Sequence, residues 1–107
     1  PPYGHAFEHW VILETYRLLD YREREYRISF FRTNDGAEVD LVLELGEKTW
    51  AIEIKSAATP RSADLEGLKS FLSDHRVDRA VCVCLTPRPY KDAKIDFLPW
   101  KDFFASL

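Results

Sequence analysis

The chain has 107 residues, 46% of them hydrophobic and 14% aromatic, with a formal charge of −3. That composition excludes a disordered chain and argues against a strong, non-specific grip on nucleic acid through the whole surface. No apolar run is long enough to cross a membrane, and the first ten residues lack the charged start and apolar stretch of a signal peptide.

The length reads as one domain over residues 1–107. The opening Pro-Pro-Tyr-Gly, with no Met, reads as a cut from a longer protein. Residues 5 to about 20 predict a first helix, with Phe7, Val11 and Leu18 on its stripe and Ile12 and Leu19 beside it. Glu8 and Glu14 fall close to that stripe, so either could reach into a site or simply be a surface glutamate. Arg27–Thr33 predicts a strand with Ile28 and Phe30 on one face, and Asn34-Asp35-Gly36 a turn.

Ala37–Lys55 alternates apolar and polar residues on either side of Gly46, the pattern of a β-hairpin. With Gly46 and Glu47 as a type II′ loop, Leu45 faces Lys48, Val42 faces Ala51, Asp40 faces Glu53 and Glu38 faces Lys55. Glu38, Asp40, Val42, Ala51, Glu53 and Lys55 then share one face. Val39, Leu41, Leu43, Trp50, Ile52 and Ile54 form the other, a core surface. Like charges directly opposed across two strands are destabilising, and a divalent cation between Asp40 and Glu53 would resolve that. The bland reading is a hairpin charged for solubility, with Glu38 as an ion-pair partner of Lys55.

After the break at Ser56–Pro60, Leu65, Leu68, Phe71 and Leu72 predict a second helix ending near His75. Arg79–Thr86 predicts a strand buried on both faces, parallel to the hairpin's second strand through a right-handed crossover. Thr86–Pro89 predicts a loop, Ile95–Leu98 a short strand and Pro99–Phe104 a terminal helix. Cys82 and Cys84, two apart in the apolar strand, read as buried structural thiols, which fits a reducing cytoplasm. His5, His9 and His75 lack metal-ligand spacing and read as surface or packing residues. Basic residues gather in Arg22, Arg24, Arg27 and Arg32, and again in Arg76, Arg79, Arg88, Lys91 and Lys94. A binding patch and ordinary solvated charge remain equal readings there.

An acidic residue followed, on the next strand, by Glu-x-Lys, within an α-β-β-β-α-β order, resembles the PD-(D/E)XK superfamily of restriction-endonuclease-like nucleases. Asp40 matches the lone acidic position, Glu53-Ile54-Lys55 the (D/E)-x-K element, and Glu8 the first-helix glutamate. More narrowly, Gly4 and Phe7-Glu8 with Gly36-x-Glu38-x-Asp40 resemble an uncharacterised C-terminal domain of bacterial and archaeal AAA-type ATPases. The resemblance implies an α/β fold, a restriction-endonuclease-like αβββαβ core with a mixed central sheet flanked by helices. It implies catalytic Asp40, Glu53 and Lys55, with Mg²⁺ or Mn²⁺ held by Glu8, Asp40, Glu53 and the Ile54 carbonyl. It further implies a metal-dependent nuclease-like domain hydrolysing phosphodiester bonds of nucleic acid, DNA in the first instance, covalently linked to an ATPase domain. The alternative is a catalytically silent module that binds nucleic acid or mediates assembly. The oligomeric state is left open. The chain departs from some members in having no glutamine, and so no Gln-x-x-x-Tyr element, and it contains no Walker-type loop.

Overall fold

The computed structural model describes residues 2–32 and 38–107, with side chains from residue 4 onward. The expected Asn34-Asp35-Gly36 turn lies outside the described residues. Helix α1 spans Pro2–Tyr21, and strands β1, β2 and β3 span Tyr26–Arg32, Glu38–Leu45 and Lys48–Ile54. A 3₁₀ turn at Ser62–Leu65 leads into α2, Glu66–Asp74, and then β4, Arg79–Cys84. Strands β5, Tyr90–Asp92, and β6, Ile95–Pro99, precede α3, Trp100–Ala105. One six-stranded sheet has the order β1-β2-β3-β4-β6-β5. The first three strands are antiparallel, β3, β4 and β6 run parallel, and β5 closes antiparallel on β6. This is the expected mixed α/β architecture. The addition is β5, a polar three-residue strand between the loop expected at Thr86–Pro89 and the strand expected at Ile95–Leu98.

Helices cover both faces of the sheet. On one, Val11 and Leu19 of α1 and Phe103 and Phe104 of α3 pack on Leu41, Leu43, Ile52, Ile54, Val81 and Val83. On the other, Leu68 and Phe71 of α2, with Leu65 before it, pack on Val39, Ala51, Ala80, Cys82 and Cys84. The buried stripe of α1 runs Val11, Thr15, Leu19, at four-residue spacing, while Phe7, Ile12 and Leu18 flank it. Buried Thr15 is tolerated because its hydroxyl donates to the carbonyl of Val11 at 2.7 Å. The helix ends without glycine. Glu23 takes φ +53°, and the amides of Glu23 and Arg24 donate to the carbonyls of Asp20 and Leu19, a Schellman closure. Among the described residues no helix is long and apolar enough to cross a membrane.

The central hairpin keeps the expected register, Leu45 opposite Lys48 and Val42 opposite Ala51. Gly46, at φ +60°, supplies the left-handed residue of its loop, and Glu47 has no positive φ, which fits a type II′ turn. Against β1, however, the register slips between Ser29–Val42 and Phe31–Val39. Asp40 and Leu41 together oppose the single residue Phe30, so β2 carries a β-bulge. The extra residue reverses the faces beyond it. Val39 packs on the α2 side and Leu41 on the α1 side, which corrects the expectation that both lie on one face. On β1, where no residue is inserted, Ile28 packs beneath α1 and Phe30, 61% exposed, lines a pocket with Glu8 and Ile12 of the same helix, as their alternation predicts.

Gly67, in the first turn of α2, sets how closely that helix approaches β2. A Cβ there would lie 2.2 Å from the carbonyl oxygen and 2.9 Å from the amide nitrogen of Glu38. In an unobstructed helix Gly→Ala stabilises by about 1 kcal/mol. Here Gly67→Ala should destabilise by about 1–3 kcal/mol, the usual cost of overpacking, read as a lowered midpoint in urea denaturation.

Candidate active site

The bulge matters because of what it does to Asp40. The β2–β3 ladder ends at the pair Leu41–Ile52. Two residues on, the amide of Ile54 donates to Oδ2 of Asp40 at 2.7 Å in place of a backbone carbonyl. The N–H and C=O of one strand residue point to the same neighbour, so the Ile54 carbonyl also turns toward the β2 side, beyond the end of the ladder. The next amide, Lys55, returns to β4 and donates to Val83 at 2.9 Å. Strand β3 is thus held by β4 while it parts from β2.

Glu53 stands in register with Cys82 of β4, on the α2 side of the sheet, and is only 5% exposed. Its carboxyl meets that of Asp40, and Glu8 reaches Asp40 from α1. Burial, then the hydrogen bond and charge of Asp40, push Glu53 up to about 10. Burial and the same neighbour raise Glu8. At neutral pH Glu53 therefore keeps its proton and donates it to Asp40. This answers the opposition expected from the hairpin register, since the two acids meet but do not both ionise.

A cleft of about 740 Å³ opens over this cluster. Helix α1 contributes His5 and Glu8, β2 Glu38 and Asp40, and β3 Glu53, with Lys55 following it. Asp64, Glu66, Gly67 and Ser70 line it from the α2 side, and Arg32 from β1. Six carboxyls face two strong cations, so a polyanion would be repelled unless a cation intervened. Arg32 is engaged, because it pairs with Glu38 at 2.6 Å. That corrects the expected pairing of Glu38 with Lys55. Lys55 is half-buried and makes no ion pair among the described residues.

Glu8, Asp40, Glu53, Lys55 and the Ile54 carbonyl, the residues singled out from sequence, are thus gathered in one place. Glu14 is not among them. It pairs with Arg17 at 2.8 Å on the exposed side of α1, and that hydrogen bond lowers its pKa. His75 stacks on Phe71 with ring centroids 4.1 Å apart, a packing role. Cys82 and Cys84 are free and buried, and the hydrogen bond between the two thiols, with burial, raises the Cys82 thiol and keeps it neutral. Sequence reading missed Asp64, Glu66 and Ser70, which carry no motif and enter through the position of α2.

Oxygen donors alone at the cluster suit a hard divalent cation rather than a thiophilic one. The carboxyls are joined to one another by hydrogen bonds. Among the described residues no group of three or more His, Cys, Asp or Glu side chains is already spaced around an ion.

Fold and cleft together define a class, a mixed α/β domain with a buried carboxyl cluster and one lysine where two central strands separate. The chain belongs to the family described as Domain of unknown function (DUF4143), which matches residues 3–103. No curated protein matches the chain significantly.

The raised carboxyl makes stability depend on pH with a definite sign. Glu53 binds its proton more tightly folded than unfolded, so its effect is absent below the unfolded value of about 4.5. Stability is then lost progressively as pH rises toward about 10. In EDTA, the melting temperature should fall between about pH 5 and pH 9. Glu53→Gln should flatten that dependence and raise stability at the alkaline end.

Proposed function

We propose that this domain is a metal-dependent phosphodiesterase of the PD-(D/E)XK kind, acting on nucleic acid as part of a longer ATPase. The observation that carries the reading is the convergence of Glu8, Asp40, Glu53 and the Ile54 carbonyl beside Lys55 in one cleft. A bound Mg²⁺ or Mn²⁺ would polarise the phosphodiester, acidify a bound water and neutralise developing charge. Asp40 and Glu53 would hold it from the sheet and Glu8 from α1. Glu53 must give up its proton to do so, and Asp40, freed of that hydrogen bond, keeps its grip on the Ile54 amide. The Lys55 ammonium would orient the attacking water or stabilise charge on the phosphoryl oxygens.

A second reading has one observation in its favour. Protonated Glu53 is satisfied by its hydrogen bond to Asp40, which suits a module that binds nucleic acid or mediates assembly of the ATPase without cutting.

Isothermal calorimetry with Mn²⁺ separates the two. The first reading expects binding that Asp40→Ala abolishes, with release of a proton as Glu53 ionises. It also expects Mn²⁺-dependent cleavage of single-stranded, duplex or branched DNA. Lys55→Ala should reduce that cleavage by about 10²–10³-fold while leaving Mn²⁺ binding in place. Absence of divalent binding, or binding indifferent to Asp40→Ala, removes the nuclease mechanism and leaves the silent module.

A further inference from the structure

At the other end of α2, away from the carboxyl cleft, lies a second cavity of about 580 Å³. Its cationic wall is Arg76, which follows α2, Arg79 at the start of β4, and Lys91 and Lys94 from the β5–β6 hairpin. Its two carboxylates are already engaged. Asp96 takes Arg79 at 2.9 Å and Lys91 at 3.7 Å, while Asp78 accepts the Thr49 amide at 2.7 Å and lies 4.0 Å from Lys48 outside the cavity. Arg79 is further fixed by the Trp50 ring, 4.8 Å from its guanidinium carbon. Arg76 and Lys94 are left without an anionic partner among the described residues.

Arg76 alone would need no ligand to explain it, because a cation is favoured at a helix C-terminus. Lys94 has no such reason to be where it is. It and Ala93 form the two-residue loop between β5 and β6, with φ +70° and +50°. A type I′ loop of this kind ordinarily takes Asn-Gly, since both positions need positive φ. A lysine held in that conformation over a cationic cavity is strain of the sort that collects at binding sites.

We propose that this cavity is an anion subsite for a backbone phosphate of the nucleic acid, set apart from the scissile bond. The inference rests on the proposed nucleic-acid substrate and adds a point of attachment to it. Cleft and cavity lie at the two ends of α2, a nine-residue helix of about 13 Å. The cavity would therefore take a phosphate a few nucleotides along the strand from the one at the cleft. The acidic cleft repels phosphates flanking the cut, so affinity has to come from elsewhere, and Arg76 and Lys94 supply it.

The test is fluorescence anisotropy with short fluorescein-labelled DNA, single-stranded and duplex, in EDTA over a range of salt. The Arg76→Ala/Lys94→Ala variant should bind about tenfold or more weakly, with a log–log salt slope shallower by about 1.4–1.8. Lys101→Ala, an exposed lysine on α3, should bind like the parent. Lys94→Gly should bind more weakly yet melt higher, because it removes the charge and the strained φ together. Unchanged affinity and slope in the double variant, or in Lys94→Gly, overturn the subsite while leaving the nuclease reading intact. Binding lost in these variants without any Mn²⁺-dependent cutting by the parent retains the subsite and overturns the nuclease. A parent that binds no DNA at low salt overturns the subsite and leaves the nuclease reading to the Mn²⁺ cleavage assay.

Discussion

One hydrogen bond organises the cleft, the carboxylate of Asp40 on the amide of Ile54. It stands where a backbone carbonyl of β2 would have continued the ladder, and it is available because the bulge gives β2 one residue too many. A strand pair left open at its end normally exposes polar backbone to water, at a cost. Here the side chain satisfies the amide, so β2 and β3 can separate without an orphaned donor. The space between them receives Glu53 from below and Glu8 from the side. Close packing of α2, allowed by Gly67 against the backbone of Glu38, walls the opening on the remaining side.

The electrostatic consequence is a division of labour along α2. At its start, carboxyls crowd until one keeps its proton; at its end, cations exceed the carboxylates able to pair with them. A formal charge of −3 averages over these two regions and conceals both.

Much of this was legible in the sequence. The period-two alternation on either side of Gly46 sufficed for the hairpin register, and with it for bringing Asp40 and Glu53 together. The continuous apolar run Ala80–Cys84 marked a strand buried on both faces. Other features left no trace, for physical reasons. Nothing in Val39-Asp40-Leu41 signals a bulge, since the extra residue is defined only against β1, so period-two alternation puts Val39 on the wrong face. Gly67 looks like a weak helix residue until Glu38 is seen against it. The β5–β6 hairpin hid because Ala93-Lys94 lacks the glycine or asparagine that advertises such a loop. Glu38 was assigned to Lys55 across the hairpin, but Arg32 lies on its other side, where β1 pairs with β2.

The attachment of α1 has a mechanical consequence. Its C-terminal end is fastened to the far end of the fold, Arg22 to the carbonyl of Phe104 and Arg24 to that of Leu107. Trp10, midway along, packs edge-on against Trp100 and Phe104 of α3. The first and last helices are therefore clamped together as one layer over the sheet, with Glu8 one place past Phe7, which packs on the core, and two before Trp10. Asp40 and Glu53 come from the sheet and Glu8 from that helical layer, so the three acids meet across the seam between the two layers.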